Sequence, residues 1–216
     1  MIETRYADRA DAGRRLAAHL TNYAGRGDVL VLALPRGGVP VGYEVARALD
    51  VPLDVFVVRK IGLPWQEELA VGAIASGGGV VLNDDVVRIS GITRDQLDRV
   101  TRAEEAELHR REEQYRGERP FPDVNGKTVI LVDDGLATGA TMRAAVEALR
   151  GEGPARVIVA VPVAAAETCQ RLQSLADDVV CAMTPDPFEA VGLWYHDFSQ
   201  TTDAEVQDLL SRARAA

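Results

Sequence analysis

Five short apolar runs separated by helical patterns constrain the fold of this chain most strongly. The runs are rich in β-branched residues, which is typical of buried strands, and they cover residues 28–34, 53–58, 128–133, 156–161 and 178–182. Apolar residues at helical spacing lie between several of them, at 39–49, 138–150 and 164–176. Strands that alternate with helices indicate a parallel sheet with right-handed crossovers. We therefore predict a doubly wound, Rossmann-like α/β fold with a mostly parallel five-stranded sheet.

Two long stretches depart from this alternation. Residues 60–92 contain short apolar segments broken by glycines and Pro64, which predicts a hairpin or a mobile flap. Residues 93–118 are highly polar and begin with Thr93 and Gln96 at the spacing of a capping box, so we predict a long and largely exposed helix. The same spacing of Thr202 and Glu205 predicts a helix near the end of the chain.

Composition narrows the classes of function. The chain has 216 residues, of which 47% are hydrophobic and 26% charged, as in an ordinary globular protein, and its net charge of -9 disfavours binding to nucleic acid. A small phosphorylated ligand stays possible, because local amides can hold a phosphate whatever the net charge. Cys169 and Cys181 show no zinc-site spacing, and we predict that both are reduced. The first 20 residues lack the apolar stretch of a signal peptide, so we expect a cytoplasmic protein without a membrane segment.

The segment VILVDDGLATGAT, at residues 129–141, carries the strongest chemical signal. Asp133 and Asp134 end an apolar strand, where they could accept hydrogen bonds from two vicinal hydroxyls of a ribose, directly or through Mg²⁺. The chain then turns at Gly135 and enters a helix, whose first amides could bind a phosphate together with the hydroxyls of Thr138 and Thr141. Alternatively, the two acids simply begin a loop. The length of the pattern favours a site for a sugar phosphate.

At residues 129–142 the sequence resembles the type I phosphoribosyltransferase family, whose signature is an apolar strand, two acids, a few variable residues, Thr-Gly and a closing Ser or Thr. The resemblance implies that the chain binds 5-phosphoribosyl-1-pyrophosphate (PRPP) and Mg²⁺. It also implies transfer of the phosphoribosyl group to a nucleobase or related nitrogen heterocycle, release of pyrophosphate, a role such as purine salvage in nucleotide metabolism, and a homodimer. The residues implied to bind PRPP here are Asp133, Asp134, Gly135, Ala137, Thr138, Gly139, Ala140 and Thr141.

Two further segments match the family's pyrophosphate-binding parts. The sequence Pro-Arg-Gly-Gly follows the first strand, and there Arg36, Gly37 and Gly38 correspond to the pyrophosphate loop. Arg59 and Lys60 follow the second apolar run, from which family members often direct a basic residue toward pyrophosphate. A plain turn and a solvated strand end are the alternatives. With the two acids, Arg36 and Lys60 complete the predicted catalytic set.

Residues 186–198 resemble the acceptor-base segment of purine phosphoribosyltransferases. An aromatic side chain stacks on the base in those enzymes, and the candidates for base contact here are Phe188, Val191, Trp194 and Tyr195. Alternatively, these aromatics seal a small lobe.

The sequence does not identify the residue that would take the proton from the acceptor base. Ala137 stands where enzymes acting on hypoxanthine or guanine commonly carry an acid, which puts a 6-oxopurine in doubt, although adenine-type members also carry Ala there. Glu67, Glu68 and His196 are the candidates for proton transfer.

By resemblance, residues 1–216 form one phosphoribosyltransferase-like domain. Its core would cover about 22–60 and 122–183, a flap and a long helix 61–121, and a hood 184–202 together with the N-terminal segment. Two other functions stay open. One is a regulator that senses PRPP or a nucleotide without catalysis, and the other is a phosphoacceptor receiver domain, which would leave the Thr-Gly-Ala-Thr segment unexplained.

Overall fold

The computed structural model describes residues 5–215, without the side chains of residues 67 and 68. Within these residues the strands are β1 (Val29–Ala33), β2 (Leu53–Val55), β3 (Val58–Leu63), β4 (Gln66–Ala75), β5 (Val80–Leu82), β6 (Thr128–Val132), β7 (Arg156–Val163) and β8 (Asp178–Met183). The α-helices are α1 (Arg9–Ala17), α2 (Gly38–Leu49), α3 (Asp84–Ser90), α4 (Arg94–Arg116), α5 (Ala140–Gly151), α6 (Ala166–Leu172) and α7 (Asp203–Ala215).

Five strands form one parallel sheet in the order β2-β1-β6-β7-β8. This confirms the predicted α/β fold, with every pairing in the sheet parallel. The chain runs outward from β1 to β2 and then returns to the other side of β1 to form β6. Because β1 and β6 are neighbours whose following segments diverge, a crevice opens between their carboxyl ends, where open α/β sheets bind ligands.

Apolar side chains cover both faces of this sheet. The fully buried strands β1 and β6 alternate their side chains between two core clusters. One cluster includes apolar residues of α1, α2, α4 and α7, and the other includes residues of α5 and α6. The sheet therefore lies between two helical layers, which gives the loops at its edge a rigid base.

The second apolar run of the sequence belongs to two different sheets. Strand β2 ends at Val55, and β3 begins at Val58 in a separate antiparallel sheet of order β3-β4-β5. Phe56 and Val57 between them are buried, so no polar residue marks the change of sheet in the sequence. Arg59 and Lys60 consequently lie inside β3 and not after a core strand, which corrects their predicted placement.

The departures from alternation contain the predicted hairpin and long helix, together with helix α3 within residues 60–92, which was not predicted. Strands β3 and β4 form the expected hairpin. Helix α4 begins with a capping box, in which Thr93 N donates to Gln96 Oε1 at 2.9 Å and Gln96 N donates to Thr93 Oγ1 at 3.3 Å. Thr202 and Glu205 make the same pair of contacts before α7. No helix within residues 5–215 is long and apolar enough to cross a membrane.

The prediction that the cysteines are reduced is wrong in this structure. Cys169 of α6 and Cys181 of β8 form a disulfide. Helix α6 is the crossover between β7 and β8, so it packs back beside the strand that follows it and brings the two residues together. Their separation of 12 in the sequence gave no sign of this contact. Helix α6 is also shorter than the predicted span of 164–176, ending at Leu172.

Candidate functional site

The loops that follow β1 and β6 pack closely against each other at the crevice between these strands. Leu34 N, after β1, donates to Val132 O at the end of β6 over 2.9 Å. A Cβ atom at Gly37 would lie 2.7 Å from Cγ of Asp134, and one at Gly38 would lie 2.7 Å from Val132 O. Both distances are shorter than a van der Waals contact. The two glycines therefore let the predicted pyrophosphate loop pack directly against the predicted ribose-binding acids.

The acid pair is half-buried and has few hydrogen-bond partners among the described residues. Asp134 N donates to Asp133 Oδ1 at 2.8 Å. Arg9 donates to Oδ2 of Asp134 through Nε and Nη2, both at 2.8 Å. Among the residues that the structure describes, no other side chain donates to either carboxylate, so carboxylate oxygens stay available.

Burial sets the electrostatics of this pair. Burial and the neighbouring charge of Asp134 raise the pKa of Asp133 above its usual range. Burial also raises the pKa of Asp134, against the opposing charge of Arg9. A cation or a pair of hydroxyl donors arriving at this position would stabilise the two negative charges.

The predicted phosphate-binding loop leads directly into α5, which begins at Ala140, two residues after the start of the predicted span. Gly139 adopts a φ of 72° directly before α5, a conformation that favours glycine. The loop rests on α6, because Thr168 Oγ1 donates to Ala137 O at 2.6 Å. A Cβ atom at Gly139 would lie 2.6 Å from Cγ2 of Thr168. Thr138 and Ala140 are exposed at the mouth of this loop, with the amino end of α5 beneath them.

The basic residues of the predicted set point in different directions. Lys60 is exposed and lines the cleft that also contains Thr138 and Gly139. Arg59, its neighbour on β3, faces away and pairs with Glu104 of α4 at 2.8 Å.

Arg36 lies in the loop after β1, and its charge reaches the ends of α4 and α7. Burial raises the pKa of Tyr115 to about 12, with Arg36 opposing the shift. A hydrogen bond from Tyr115 lowers the pKa of Asp203, and Arg36 contributes to this lowering.

A cavity of about 1170 Å³ extends from the phosphate-binding loop between α5, α6 and the β3-β4-β5 sheet. Its basic lining residues are Lys60, Arg143 and Arg171. Arg143 pairs with Glu147 at 3.0 Å, while Arg171 donates to Thr168 Oγ1 at 3.3 Å. Asp84, Asp85 and Glu147 also line the cavity, so its charged lining is balanced overall, and Lys60 is the basic residue there that lies on the flap strand β3.

The predicted acceptor segment packs against the acid pair through Tyr195. This residue is 3% exposed, its ring lies 5.5 Å from that of Tyr6, and its hydroxyl donates to Asp134 O at 2.5 Å. Phe188, Val191 and Trp194 are partly buried in the same cluster. A Cβ atom at Gly135 would lie 2.5 Å from Cγ1 of Val191. The segment is therefore adjacent to the motif, and the contact of these four residues with a base stays a prediction.

Comparison with known proteins identifies the family. The family model of the phosphoribosyl transferase domain matches residues 4–197. The chain belongs to the phosphoribosyltransferase family.

Individual relatives resemble this phosphoribosyltransferase-family chain over almost its full length. A phosphoribosyl transferase-family protein of Mycobacterium tuberculosis strain CDC 1551 is 49% identical over 208 residues, which are 96% of this chain and 47% of that protein. The crystal structure of TT1426 from Thermus thermophilus is similar with a TM-score of 0.86 and 44% identity, over 97% of this chain and 99% of the other. The chain spans about half the length of the curated relatives it matches.

The structure describes the side chain of one of the three candidates for proton transfer. His196 is exposed, and its backbone amide donates to Tyr6 O at 2.8 Å. Glu67 and Glu68 lie on β4, but their side chains are outside the described part of the chain. Their roles in a phosphoribosyltransferase stay predictions.

Sequence reasoning missed three arginines near this phosphoribosyltransferase-family site. Arg143 follows the motif by two residues, so its place in the first turn of α5 could have been predicted. Arg171 lies one helical turn after Thr168, but nothing in the sequence relates Thr168 to the motif. Arg9 is 125 residues from its partner Asp134, and no local pattern signals this contact.

Proposed function

We propose that this chain is a Mg²⁺-dependent phosphoribosyltransferase that transfers the 5-phosphoribosyl group of PRPP to a nucleobase or related nitrogen heterocycle. The observation that carries the proposal is the packing of Gly37 against Asp134, which puts a glycine loop, an acid pair and a phosphate-type loop at one sheet edge. A sugar, its 5-phosphate and its pyrophosphate would each have a matching partner there. Membership of the phosphoribosyltransferase family supports the same assignment.

Each loop would have a defined task in the reaction. The C1–oxygen bond to pyrophosphate breaks, a bond from C1 to a ring nitrogen of the acceptor forms, and the nitrogen loses its proton. Asp133 and Asp134 would hold the ribose hydroxyls, and the loop from Thr138 to Thr141 would hold the 5-phosphate. Arg36, Lys60 and the amides of the glycine loop would stabilise the charge that develops on pyrophosphate. No covalent nucleophile is required.

The acid pair also fits a magnesium ion. Mg²⁺ prefers oxygen ligands and is commonly held by one or two carboxylates together with substrate phosphates. Asp133 and Asp134 are adjacent carboxylates, and among the described residues Arg9 is the one side chain that donates to them. When bound, the ion would neutralise charge on the pyrophosphate group. The acids would hold it directly or through water.

The acceptor is proposed by class alone. Phe188 and Trp194 are aromatic side chains in the segment next to the motif, which suits a flat heterocycle. Ala137 leaves the position before Thr-Gly without an acid, which favours an acceptor other than a 6-oxopurine. We further propose a cytoplasmic, homodimeric enzyme of nucleotide metabolism, such as purine salvage, that binds neither nucleic acid nor membranes.

The test is Mg²⁺-dependent release of pyrophosphate from PRPP, measured across a panel of purines, pyrimidines and small nitrogen heterocycles. Binding of PRPP is measured in parallel by titration calorimetry. Asp133→Asn combined with Asp134→Asn should abolish both signals while the protein stays folded. Asp98→Asn combined with Glu105→Gln removes the same charge from exposed positions of helix α4 and serves as the control.

The outcomes separate the proposal from its alternative. Turnover with one acceptor, lost in the aspartate double variant and kept in the control, supports the enzyme and names its substrate. Unchanged PRPP affinity in the aspartate variant contradicts the site assignment. Tight PRPP binding without turnover on any acceptor would instead favour a regulator that senses PRPP, a function with which Ala137 is also compatible.

A further inference from the structure

Arg9 connects three separate parts of the chain at the edge of the site. It is the first residue of α1, and its side chain is 12% exposed. Its Nε and Nη2 atoms bond to Asp134, and its Nη1 atom donates to Ser199 O at 2.6 Å. The guanidinium carbon also lies 4.0 Å from the centre of the Phe198 ring. All three guanidinium nitrogens therefore have a partner.

Contacts other than those of Arg9 already attach the acceptor segment to the rest of the chain. Tyr6 already ties that segment to the N-terminal part of the chain, because its amide donates to Trp194 O at 2.9 Å and its carbonyl accepts from His196 N at 2.8 Å. The Tyr195 hydroxyl adds a bond to the backbone of Asp134. What Arg9 adds is a hold on the carboxylate of Asp134 itself, which the other contacts leave free.

The shape of the guanidinium explains why arginine suits this place. Two nitrogens on one edge fix Oδ2 of Asp134, which selects one orientation of the carboxylate and directs the other oxygen elsewhere. The third nitrogen and the flat face remain for Ser199 and Phe198. Lysine has a single nitrogen and no planar face, so it could keep the positive charge but could not contact Asp134, Ser199 and Phe198 at the same time.

We propose that Arg9 is a positioning residue that orients Asp134 toward the ribose hydroxyls of PRPP and couples this acid to the Phe198 end of the acceptor segment. Binding of the sugar and placement of the acceptor segment are then linked through one side chain. This inference depends on the proposed function, because it assigns the sugar to Asp134. It adds a residue from outside the PRPP motif to the machinery of the site.

Phe198 carries the coupling onward into the acceptor segment. Its ring lies 5.0 Å from that of Tyr195, and a Cβ atom at Gly192 would lie 2.8 Å from its Cδ1 atom. Trp194 belongs to the same cluster as Tyr195. A shift of Phe198 would therefore change the surroundings of Trp194, and the chain has only two tryptophans, so the emission of Trp194 can be isolated by Trp65→Phe.

The test compares Arg9→Met and Arg9→Lys with Arg15→Met, each also prepared with Trp65→Phe. Arg15 is the control because it lies on the same helix and pairs with Asp11 at 2.9 Å instead of with the acid pair. Its guanidinium carbon lies 5.2 Å from the centre of the Tyr6 ring, so it also controls for the loss of an arginine beside the acceptor segment. The measurements are PRPP affinity with Mg²⁺ by calorimetry, kcat and KM for both substrates, and the change of Trp194 emission on adding PRPP.

We expect Arg9→Met to weaken PRPP binding on the order of tenfold to a hundredfold, the scale of a misplacement of about 1 Å. Arg9→Lys should recover part of that affinity. Both variants should lose the emission change of Trp194 and raise the KM for the acceptor, while Arg15→Met behaves as the unsubstituted protein.

Arg9 variants that match Arg15→Met in every measurement overturn the inference while leaving the proposed function intact. Absence of PRPP binding in the unsubstituted protein instead contradicts the proposed function. If Arg9→Met fails to fold, Arg9→Lys decides. A folded Arg9→Lys protein with unaltered acceptor KM and unaltered Trp194 response refutes the coupling.

Discussion

Substitution of Gly37 by alanine tests whether the two loops must touch. Gly37 has φ and ψ of -59° and -32°, which any residue adopts, so alanine introduces no backbone strain. Its Cβ atom would overlap Oδ2 of Asp134 and would lie 2.7 Å from Cγ of Asp134 and 3.3 Å from Nε of Arg9. Two carbon atoms pack best at about 3.5 to 4.0 Å. One of the two loops must therefore move by about 1 Å.

The expected cost falls on binding, because the group in the way is the side chain of Asp134, which is proposed to hold the ribose. Extra atoms in a well-packed place cost about 1 to 3 kcal/mol. At about 1.4 kcal/mol for each factor of ten, this corresponds to a loss of PRPP affinity of roughly 5- to 150-fold. Calorimetric titration with PRPP and Mg²⁺ measures the loss, and urea unfolding measures stability alongside it.

Two other glycines provide the comparison. A Cβ atom at Gly27 meets no described atom within 4 Å, so Gly27→Ala should bind PRPP normally. A Cβ atom at Gly38 would press on the backbone, at 2.7 Å from Val132 O, so Gly38→Ala should lower stability as well as binding. A folded Gly37→Ala protein that binds PRPP within twofold of the unsubstituted protein would show that the loop contact is not part of the site.

Two further predictions concern the flap strand and the disulfide. Lys60→Ala should raise the KM for PRPP about tenfold, because Lys60 lines the cleft beside the phosphate-binding loop. Arg59→Ala should leave the KM within about twofold, because Arg59 faces α4. Steady-state kinetics of both variants test this, and equal effects of the two substitutions would contradict it. Breaking the cross-link between Cys169 and Cys181 should lower the free energy of unfolding by about 2 to 4 kcal/mol. Urea unfolding with and without reductant measures this loss of stability. The variant with both cysteines replaced by serine is the control and should not respond to reductant. Identical unfolding curves of the unsubstituted protein in the two conditions would refute the prediction.

The sequence predicted the parallel sheet well because burial on both faces leaves a continuous signal. All five residues of β1 and all five of β6 are buried, so each strand is an unbroken apolar run. The same property hid the boundary between β2 and β3. Phe56 and Val57 are as buried as the strands beside them, although they cross from one sheet to another. Burial alone does not reveal which sheet an apolar residue joins.

Contacts between segments that are distant in the chain could not be predicted from the sequence. Asp133 and Asp134 could be predicted because strand, acids and loop follow one another within 13 residues. The partners of this pair could not, since Arg9 and Tyr195 lie 125 and 61 residues from Asp134. The disulfide was missed for a related reason: it depends on how α6 packs against β8, which no spacing rule describes.

This difference between local and distant contacts explains why the donor can be assigned more closely than the acceptor. The groups proposed to hold PRPP lie mostly in one short motif, so a match to that motif carries much of the donor chemistry with it. The proposed acceptor side would be assembled from the segment around Tyr6 and Arg9 and from the segment around Trp194 and Phe198, which meet only after folding. A change in either segment could alter the acceptor without changing the motif. If the proposed site is right, substitutions in the segment around Trp194 should redirect acceptor specificity while PRPP binding persists.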